Sequence, residues 1–285
     1  MKPPPFEYLR AQTLDEAVEG IAQGGEDAKV LAGGQSLVPM MNLRLARPTL
    51  LVDINALPLD DVEVRDDTLH VGTLVRHQRL CTDEVFARHS PLLQHAAGFI
   101  GHPAIRVRGT LGGSLAHADP SAELALVAVA LDARIIAVSS SELREVSARE
   151  LFQGPFMTTL RQDEMVLAVE WPILGGDDAW GFAEIAERSG DFAEASAAVA
   201  VRSGSASVAV TGVAGGPLLL PDVAELLTAG GARPDDVRAA AEAALRQRNG
   251  DEDARAVALV AEMVVRAVTM ATDRTTDRTA ERTTR

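Results

Sequence analysis

A chain of 285 residues, 47% of them hydrophobic, can bury a substantial core, and two domains or one domain with subdomains are expected. Its net charge of -14, with Lys2 and Lys29 as the only lysines, excludes nucleic-acid binding, and its single cysteine, Cys81, excludes both a disulfide framework and a cluster held by four thiolates. No apolar run approaches the roughly 20 residues of a membrane span, and the N-terminus lacks the apolar stretch of a secretory signal, so we expect a cytoplasmic protein without a membrane span.

The first predicted elements form a strand–helix–strand unit. Thr13 and Glu16 have the spacing of a capping box, which predicts a helix that runs to about Gln23. A short buried strand at Lys29–Leu31 leads into a glycine-rich loop, and a second apolar strand at Thr49–Ile54 closes the unit.

The next stretch combines strands and helices. Leu69–Gly72 and Val166–Trp171 are apolar runs typical of strands, and Pro91–Gly98 has a helical pattern. Asp119-Pro120 has the chemistry of a helix start, because Asp can cap the first turn and Pro fits its first position. The helix that follows, to about Leu131, is apolar nearly all round, which predicts that it is buried.

The segment 175–178, Gly-Gly-Asp-Asp, is the best candidate for a domain boundary. Beyond it, paired strands are predicted at Phe192–Val201 and Ser205–Val213, around a turn at 202–204, followed by helices at about 235–248 and 252–271. The second helix carries a stripe that we assign to the core, formed by Val257, Val260, Val264 and Val268. The tail 272–285 repeats Thr-Asp-Arg-Thr without large apolar residues and is predicted to be disordered.

Two glycine pairs, each followed by polar side chains, are the strongest functional signal. They lie in Gly33–Ser36 and Thr110–Ser114, and neither belongs to the fingerprint G-x-G-x-x-G or to the phosphate loop G-x-x-x-x-G-K-[ST]. Glycine lets the backbone approach an anion and turn N–H groups toward it, so two such loops suit the diphosphate of a flavin dinucleotide. Spacing alone leaves open the alternative that each pair is a turn between elements.

The residues around both loops resemble a known family. Residues 32–37, Ala-Gly-Gly-Gln-Ser-Leu, with Asn42–Leu45 after them, resemble the first flavin motif of the medium subunit of carbon monoxide dehydrogenase. Residues 100–120 resemble its second motif, and Arg188–Ala193 resembles the segment that opens its C-terminal domain. The same family, the FAD-binding medium subunits of molybdenum hydroxylases, includes the FAD subunits of xanthine dehydrogenase and of N-heterocycle hydroxylases.

The resemblance implies an α/β (α+β) fold. A two-subdomain FAD-binding domain of the PCMH type would occupy residues 1–174, with subdomains at about 1–56 and 57–174. A smaller α+β C-terminal domain of the carbon monoxide dehydrogenase flavoprotein type would occupy 178–271.

The resemblance also implies an electron-transfer subunit that binds FAD and passes electrons from [2Fe–2S] clusters to an external acceptor. Its partners would be an iron–sulfur small subunit and a molybdenum-cofactor large subunit, in a dimer of heterotrimers. The implied FAD contacts are Ala32, Gly33, Gly34, Gln35, Ser36, Leu37, Ile100, Thr110, Gly112, Gly113, Ser114, Glu123, Asp191 and Phe192. The chain departs from the family pattern at Glu184, where relatives often carry Lys.

No other constellation points to catalysis in this chain. The histidines lack the spacing of a metal site, and we expect hydrogen-bonded or exposed structural roles for His77 and His117. Arg106 and Arg108 form either surface ion pairs or electrostatic support for phosphates. Two rival hypotheses stay open: a stand-alone FAD-dependent oxidase or reductase of the same fold, and a scaffold subunit without a cofactor.

Overall fold

A computed structural model of the chain describes residues 2–176, 178–202, 204–230, 232–249 and 253–283. Helices and strands are mixed throughout, and the strands form three sheets and one two-stranded ribbon. The expected α/β (α+β) class is therefore confirmed. Within the described ranges, none of the helices combines the length and the hydropathy that crossing a bilayer requires.

The N-terminal unit is a parallel three-stranded sheet. Its strands lie in the order β1 (Glu7–Arg10), β3 (Leu50–Asp53) and β2 (Ala28–Leu31). Helix α1 (Leu14–Gly24) begins as predicted, because the Thr13 hydroxyl accepts a hydrogen bond from the Glu16 N–H at 3.2 Å. The chain leaves β2 through the first glycine loop and enters the short helix α2 at Leu37–Asn42.

The second unit is an antiparallel five-stranded sheet with helices beside it. Its strands lie in the order β4 (Val62–Arg65), β5 (Thr68–Gly72), β10 (Met165–Pro172), β6 (Arg134–Val138) and β7 (Leu143–Ser147). Its helices are α3 (His77–Thr82), α4 (Glu84–His89), α5 (Pro91–Ala97), α6 (Pro103–Arg106), α7 (Leu111–His117), α8 (Glu123–Leu131) and α9 (Ala148–Leu151). A ribbon of β8 (Phe152–Gly154) and β9 (Met157–Thr158) follows.

Helix α8 is buried all round, as its sequence predicts, but it begins later than expected. Leu124 to Leu131 are all buried, because the helix packs against α5, α7 and α9 and against strands of a further, four-stranded sheet. The predicted start at Asp119 is wrong: the Asp119 carboxylate instead accepts a hydrogen bond from the Ser121 N–H at 2.9 Å. Asp119 thus stabilises a turn that precedes the helix.

The third unit is a four-stranded antiparallel sheet with three helices. Its strands, in sheet order, are β11 (Ala179–Ile185), β12 (Ala195–Arg202), β13 (Ser205–Thr211) and β14 (Leu218–Leu219), and its helices are α10 (Pro221–Ala229), α11 (Pro234–Asn249) and α12 (Ala254–Thr283). The predicted pair of strands is confirmed, although the first begins at Ala195 instead of Phe192. Asp177 and Ser203, in the predicted boundary and turn, lie outside the described residues.

Helix α12 packs against β11 and β12 and carries the predicted valine stripe, which is buried. It approaches the sheet so closely that a Cβ at Gly181 would collide with the Ala267 carbonyl. Helix α12 continues to Thr283. The disorder that the sequence predicts from residue 272 stays a prediction. Thr284 and Arg285 lie outside the described residues.

Hydrophobic side chains form three clusters, one around each sheet. The largest surrounds α8 and also includes Trp180 and Phe182 of β11. The second and third units therefore share buried surface.

Candidate functional site

The first glycine loop presents unused backbone donors at the carboxyl end of β2. In the part of the chain that the structure describes, the N–H groups of Gly33, Gly34, Gln35 and Ser36 have no hydrogen-bond partner within the protein. Gly34 has φ of 70°, a conformation that glycine adopts without strain. The Gln35 side chain donates to the Gly33 carbonyl at 3.0 Å and closes the loop on itself. These free donors suit an anionic ligand.

The second glycine loop differs from the expectation, because its backbone donors are already used. The N–H of Gly112 donates to the Thr73 carbonyl at 3.0 Å, and the N–H of Gly113 donates to the Thr110 hydroxyl at 3.2 Å. Gly112 is required for packing, since a Cβ there would overlap the Thr73 side chain. What this loop offers a ligand is the bare surface of the exposed Gly113 and the half-buried Ser114 hydroxyl.

The two loops, far apart in sequence, are in backbone contact. A Cβ on Gly33 would collide with the Arg108 carbonyl oxygen and would lie 2.8 Å from the Cα of Gly109. A Cβ on Gly113 would lie 3.9 Å from the Cβ of Ala32. The fold therefore brings together the two motifs that the sequence singled out, and glycine at Gly33 makes the close approach possible.

Side chains that the sequence analysis missed also join the loops. The Arg76 guanidinium donates to the Arg108 carbonyl at 2.5 Å and to the Asn55 side-chain oxygen at 2.7 Å. The Asn55 amide in turn donates to the Ala32 carbonyl at 2.8 Å. Asn55 and Arg76 belong to no motif, and the only signal in the sequence was the position of Asn55 just after an apolar strand.

The buried His77 ring packs against the second glycine loop. Its Nε2 lies 2.9 Å from the Thr110 carbonyl, and burial lowers its pKa to about 4, so the ring is neutral and donates this hydrogen bond. A Cβ on Gly109 would lie 2.7 Å from the His77 ring. His117 packs against the Phe156 ring instead. Among the described residues, no group of three or more His, Cys, Asp or Glu could hold a metal ion.

The segment Arg188–Phe192 lies against the start of the second motif. Gly190, with φ of 87°, contacts the His102 ring and the Gly101 carbonyl so closely that a side chain would not fit. Phe192 is 73% exposed at this edge, whereas Ile100 is only 9% exposed and belongs to the core. Ile100 can therefore offer a ligand little more than the rim of its side chain.

The two arginines beside the second loop have different roles. Arg106 donates to the carbonyls of Gly98, Ile100 and Gly101 at 3.0–3.3 Å. It therefore stabilises that turn, and it forms neither the surface ion pair nor the support for phosphates that the sequence suggests. Arg108 is exposed, and its backbone lies at the junction of the loops. Of the two residues, Arg108 is the one placed to attract an anion.

Two carboxylates from different units, Glu123 at the start of α8 and Glu184 on β11, lie close enough to interact electrostatically. Burial, with smaller contributions from Glu184 and Asp119, raises the pKa of Glu123 to about 8. Burial raises the pKa of Glu184, on β11, to about 7, and its Oε2 is buried without a hydrogen-bond partner among the described residues. At neutral pH Glu123 is thus largely protonated and Glu184 partly protonated, so Glu184 carries only a partial negative charge where relatives often carry Lys.

These raised pKa values predict that the ligand-free protein loses stability as pH rises. The folded state holds protons that the unfolded chain releases near pH 4.5, so unfolding becomes easier between about pH 5 and 8. Glu184→Gln should match the wild type at pH 5 and exceed it at pH 8.5 by roughly 1 kcal/mol, a value reduced for partial solvent contact. Urea unfolding at both pH values measures this, with Glu187→Gln as an exposed control. Equal stabilities at pH 8.5 would contradict the assignment.

The charge distribution along the chain favours an anion at the loops. The sequence contains 41 acidic residues, yet none lies between Asp27 and Asp53 or between Glu84 and Asp119. Each of these stretches contains one of the glycine loops. Although the protein is acidic overall, both loops lie in stretches without acidic residues, which favours an anionic ligand there. This pattern is visible in the sequence alone.

A parallel sheet that ends in a loop with free amides, packed on a second glycine loop, defines a protein that binds a phosphate-bearing cofactor. A family profile described as the FAD binding domain in molybdopterin dehydrogenase matches residues 4–174. The chain belongs to this family. Its members provide an FAD-binding subunit of oxidoreductases, and the predicted class of enzyme and cofactor is confirmed.

Individual relatives agree with this assignment. The chain is 44% identical over 199 residues to the alpha subunit of the 6-hydroxypseudooxynicotine dehydrogenase complex of Paenarthrobacter nicotinovorans, across 70% of this chain and 67% of the relative. It is 34% identical over 278 residues to the carbon monoxide dehydrogenase medium chain of Hydrogenophaga pseudoflava, across 94% and 97%. A solved structure of carbon monoxide dehydrogenase from Hydrogenophaga pseudoflava matches with a TM-score of 0.90 at 33% identity, across 96% of this chain and 99% of that one.

Proposed function

We propose that this chain is the electron-transfer subunit of a molybdenum-containing hydroxylase, with FAD held between the two glycine loops. The free N–H groups of Gly33–Ser36 carry this proposal. They are hydrogen-bond donors without partners among the described residues, and no acidic residue lies near them along the chain. The FAD diphosphate would accept from these groups, and the Ser114 hydroxyl would add a donor from the second loop. Glu123, Asp191 and Phe192 would border the remainder of the cofactor.

We propose that the partners are a small subunit with [2Fe–2S] clusters and a large subunit with the molybdenum cofactor, assembled as a dimer of heterotrimers. The names of the relatives support this, since they are a subunit of a dehydrogenase complex and a medium chain. Bound FAD would supply the redox chemistry that links the clusters to an external acceptor. This chain positions the cofactor and shapes its electrostatics.

Purification of the complex through a tag on this chain tests the proposal. We expect a yellow-brown assembly that contains iron, molybdenum and one FAD per copy of this chain, and substrate added without oxygen should bleach both the iron–sulfur and the flavin absorbance. In a complex stripped of FAD, substrate should still bleach the clusters, but an external acceptor should no longer be reduced. A complex that reduces its acceptor equally well without FAD would contradict the proposed role.

A further inference from the structure

Three hydrogen bonds span the junction of the two glycine loops. They run from the Ala32 carbonyl to the Asn55 amide at 2.8 Å, from the Asn55 side-chain oxygen to Arg76 at 2.7 Å, and from Arg76 to the Arg108 carbonyl at 2.5 Å. Ala32 precedes the free amides of the first loop, and Arg108 precedes the second loop. The bridge therefore connects the backbones on the two sides of the proposed cofactor site.

The orientation of Asn55 within the bridge is fixed. Asp53, at the end of β3, accepts from the Asn55 N–H at 2.9 Å and from its side-chain amide at 2.6 Å, while its second carboxylate oxygen accepts from the Tyr8 hydroxyl. Because the amide nitrogen must face Asp53 and Ala32, the Asn55 oxygen must face Arg76. Although burial opposes it, the hydrogen bonds from Tyr8 and Asn55 lower the pKa of Asp53, so this anchor stays charged at neutral pH.

Arg76 suits the bridge because a guanidinium donates in two directions from one rigid plane. It is half-buried, and burial, followed by the nearby Arg108 charge, lowers its pKa. Two adjacent guanidinium groups repel each other unless an anion lies near them. Asn55 is exposed to solvent on this face, so a ligand that covers the bridge would remove water from its hydrogen bonds and strengthen them.

We propose that Asn55 and Arg76 form a clamp that sets the spacing of the two glycine loops, and that they are positioning residues for the FAD diphosphate. The inference rests on the proposed placement of FAD at these loops. The clamp holds Ala32 and Arg108 at fixed positions, so the free N–H groups of Gly33–Ser36 face the ligand before it arrives. Preorganisation of this kind lowers the cost of binding.

Arg76→Ala is the decisive variant, and Arg79→Ala is its control. Arg79 lies on α3, which begins directly after Arg76, and it donates to the Asp60 carbonyl at 2.5 Å and to Asp83 at 3.2 Å. We expect Arg76→Ala to raise the Kd for FAD about tenfold or more, the effect of a lost hydrogen bond to a charged group, and Arg79→Ala to leave it unchanged. Methylguanidinium in solution should restore FAD affinity to Arg76→Ala alone, a rescue that a general loss of stability would not show.

Further variants separate the possible outcomes. Arg76→Lys keeps the charge but cannot span both acceptors, so it should bind FAD nearly as weakly as Arg76→Ala; wild-type affinity in this variant would overturn the clamp. If Arg76→Ala does not fold, Asn55→Leu removes the same bridge and should weaken FAD binding equally. Gly33→Ala distinguishes the two proposals. If Gly33→Ala retains FAD, the proposed placement of the cofactor is wrong. If Gly33→Ala loses FAD while Arg76→Ala binds it normally, the placement stands and only the clamp is contradicted.

Discussion

Gly33→Ala should weaken FAD binding severely in a protein that still folds. A methyl group at this position would meet the Arg108 carbonyl and the Gly109 backbone, neither of which can rotate away as a side chain can. The first loop must then move away from the second loop. Its free N–H groups would no longer converge on the FAD diphosphate. Because several charge-assisted hydrogen bonds are affected at once, we expect the Kd to rise by roughly 100-fold or more. Flavin fluorescence quenching measures the Kd, and circular dichroism checks the fold.

Gly154→Ala is a suitable control for this variant. Gly154 lies on the β8–β9 ribbon, and a Cβ there would have no heavy atom within 4 Å. Gly34 is a less informative target, since its φ of 70° makes any side chain a source of strain by itself. Full flavin stoichiometry in folded Gly33→Ala would show that the proposed placement of FAD between the two loops is wrong.

Much of the fold could be predicted because its signals are local. Apolar runs gave β2, β3, β5 and β10, and the capping chemistry of Thr13 gave the start of α1. The error at the start of α8 has a local cause as well. Asp119 is a residue type that caps helices, but its side chain is used in a turn and the helix begins at Glu123.

The site was less predictable, because it is assembled by tertiary contacts. Both glycine loops could be found from their composition, yet the sequence could not show that the amides of the second loop are satisfied by Thr73 and Thr110. Nor could it show that Asn55 and Arg76 meet, since the contact depends on how the parallel sheet and α3 are placed. The domain boundaries and the individual FAD contacts remain predictions.

The isolated chain should show no substrate-dependent reduction of a dye, whichever heterocycle or aldehyde is supplied. A single cysteine cannot hold an iron–sulfur cluster. His77 lies against the second glycine loop, but its ring is buried and neutral and its Nε2 is bonded to the Thr110 carbonyl, so it is not placed to act on an organic substrate at the flavin. Only an assembly with an iron–sulfur subunit and a molybdenum subunit should turn over. The measurement is dye reduction under saturating substrate, by the chain alone and by the purified complex at equal flavin concentration.

A chemical control makes a negative result meaningful. The isolated chain loaded with FAD and reduced with dithionite should still reduce the dye, which shows that the cofactor is intact and accessible. If that control succeeds and substrate alone gives no reduction, electrons must enter this chain from a partner. Sustained turnover by the isolated chain would instead favour the stand-alone oxidase or reductase, and a chain that purifies colourless and takes up no FAD would favour the scaffold. Turnover by the isolated chain is the more informative of these two outcomes, because the family assignment already implies FAD binding. Such turnover would contradict the proposal that electrons reach this chain from a partner.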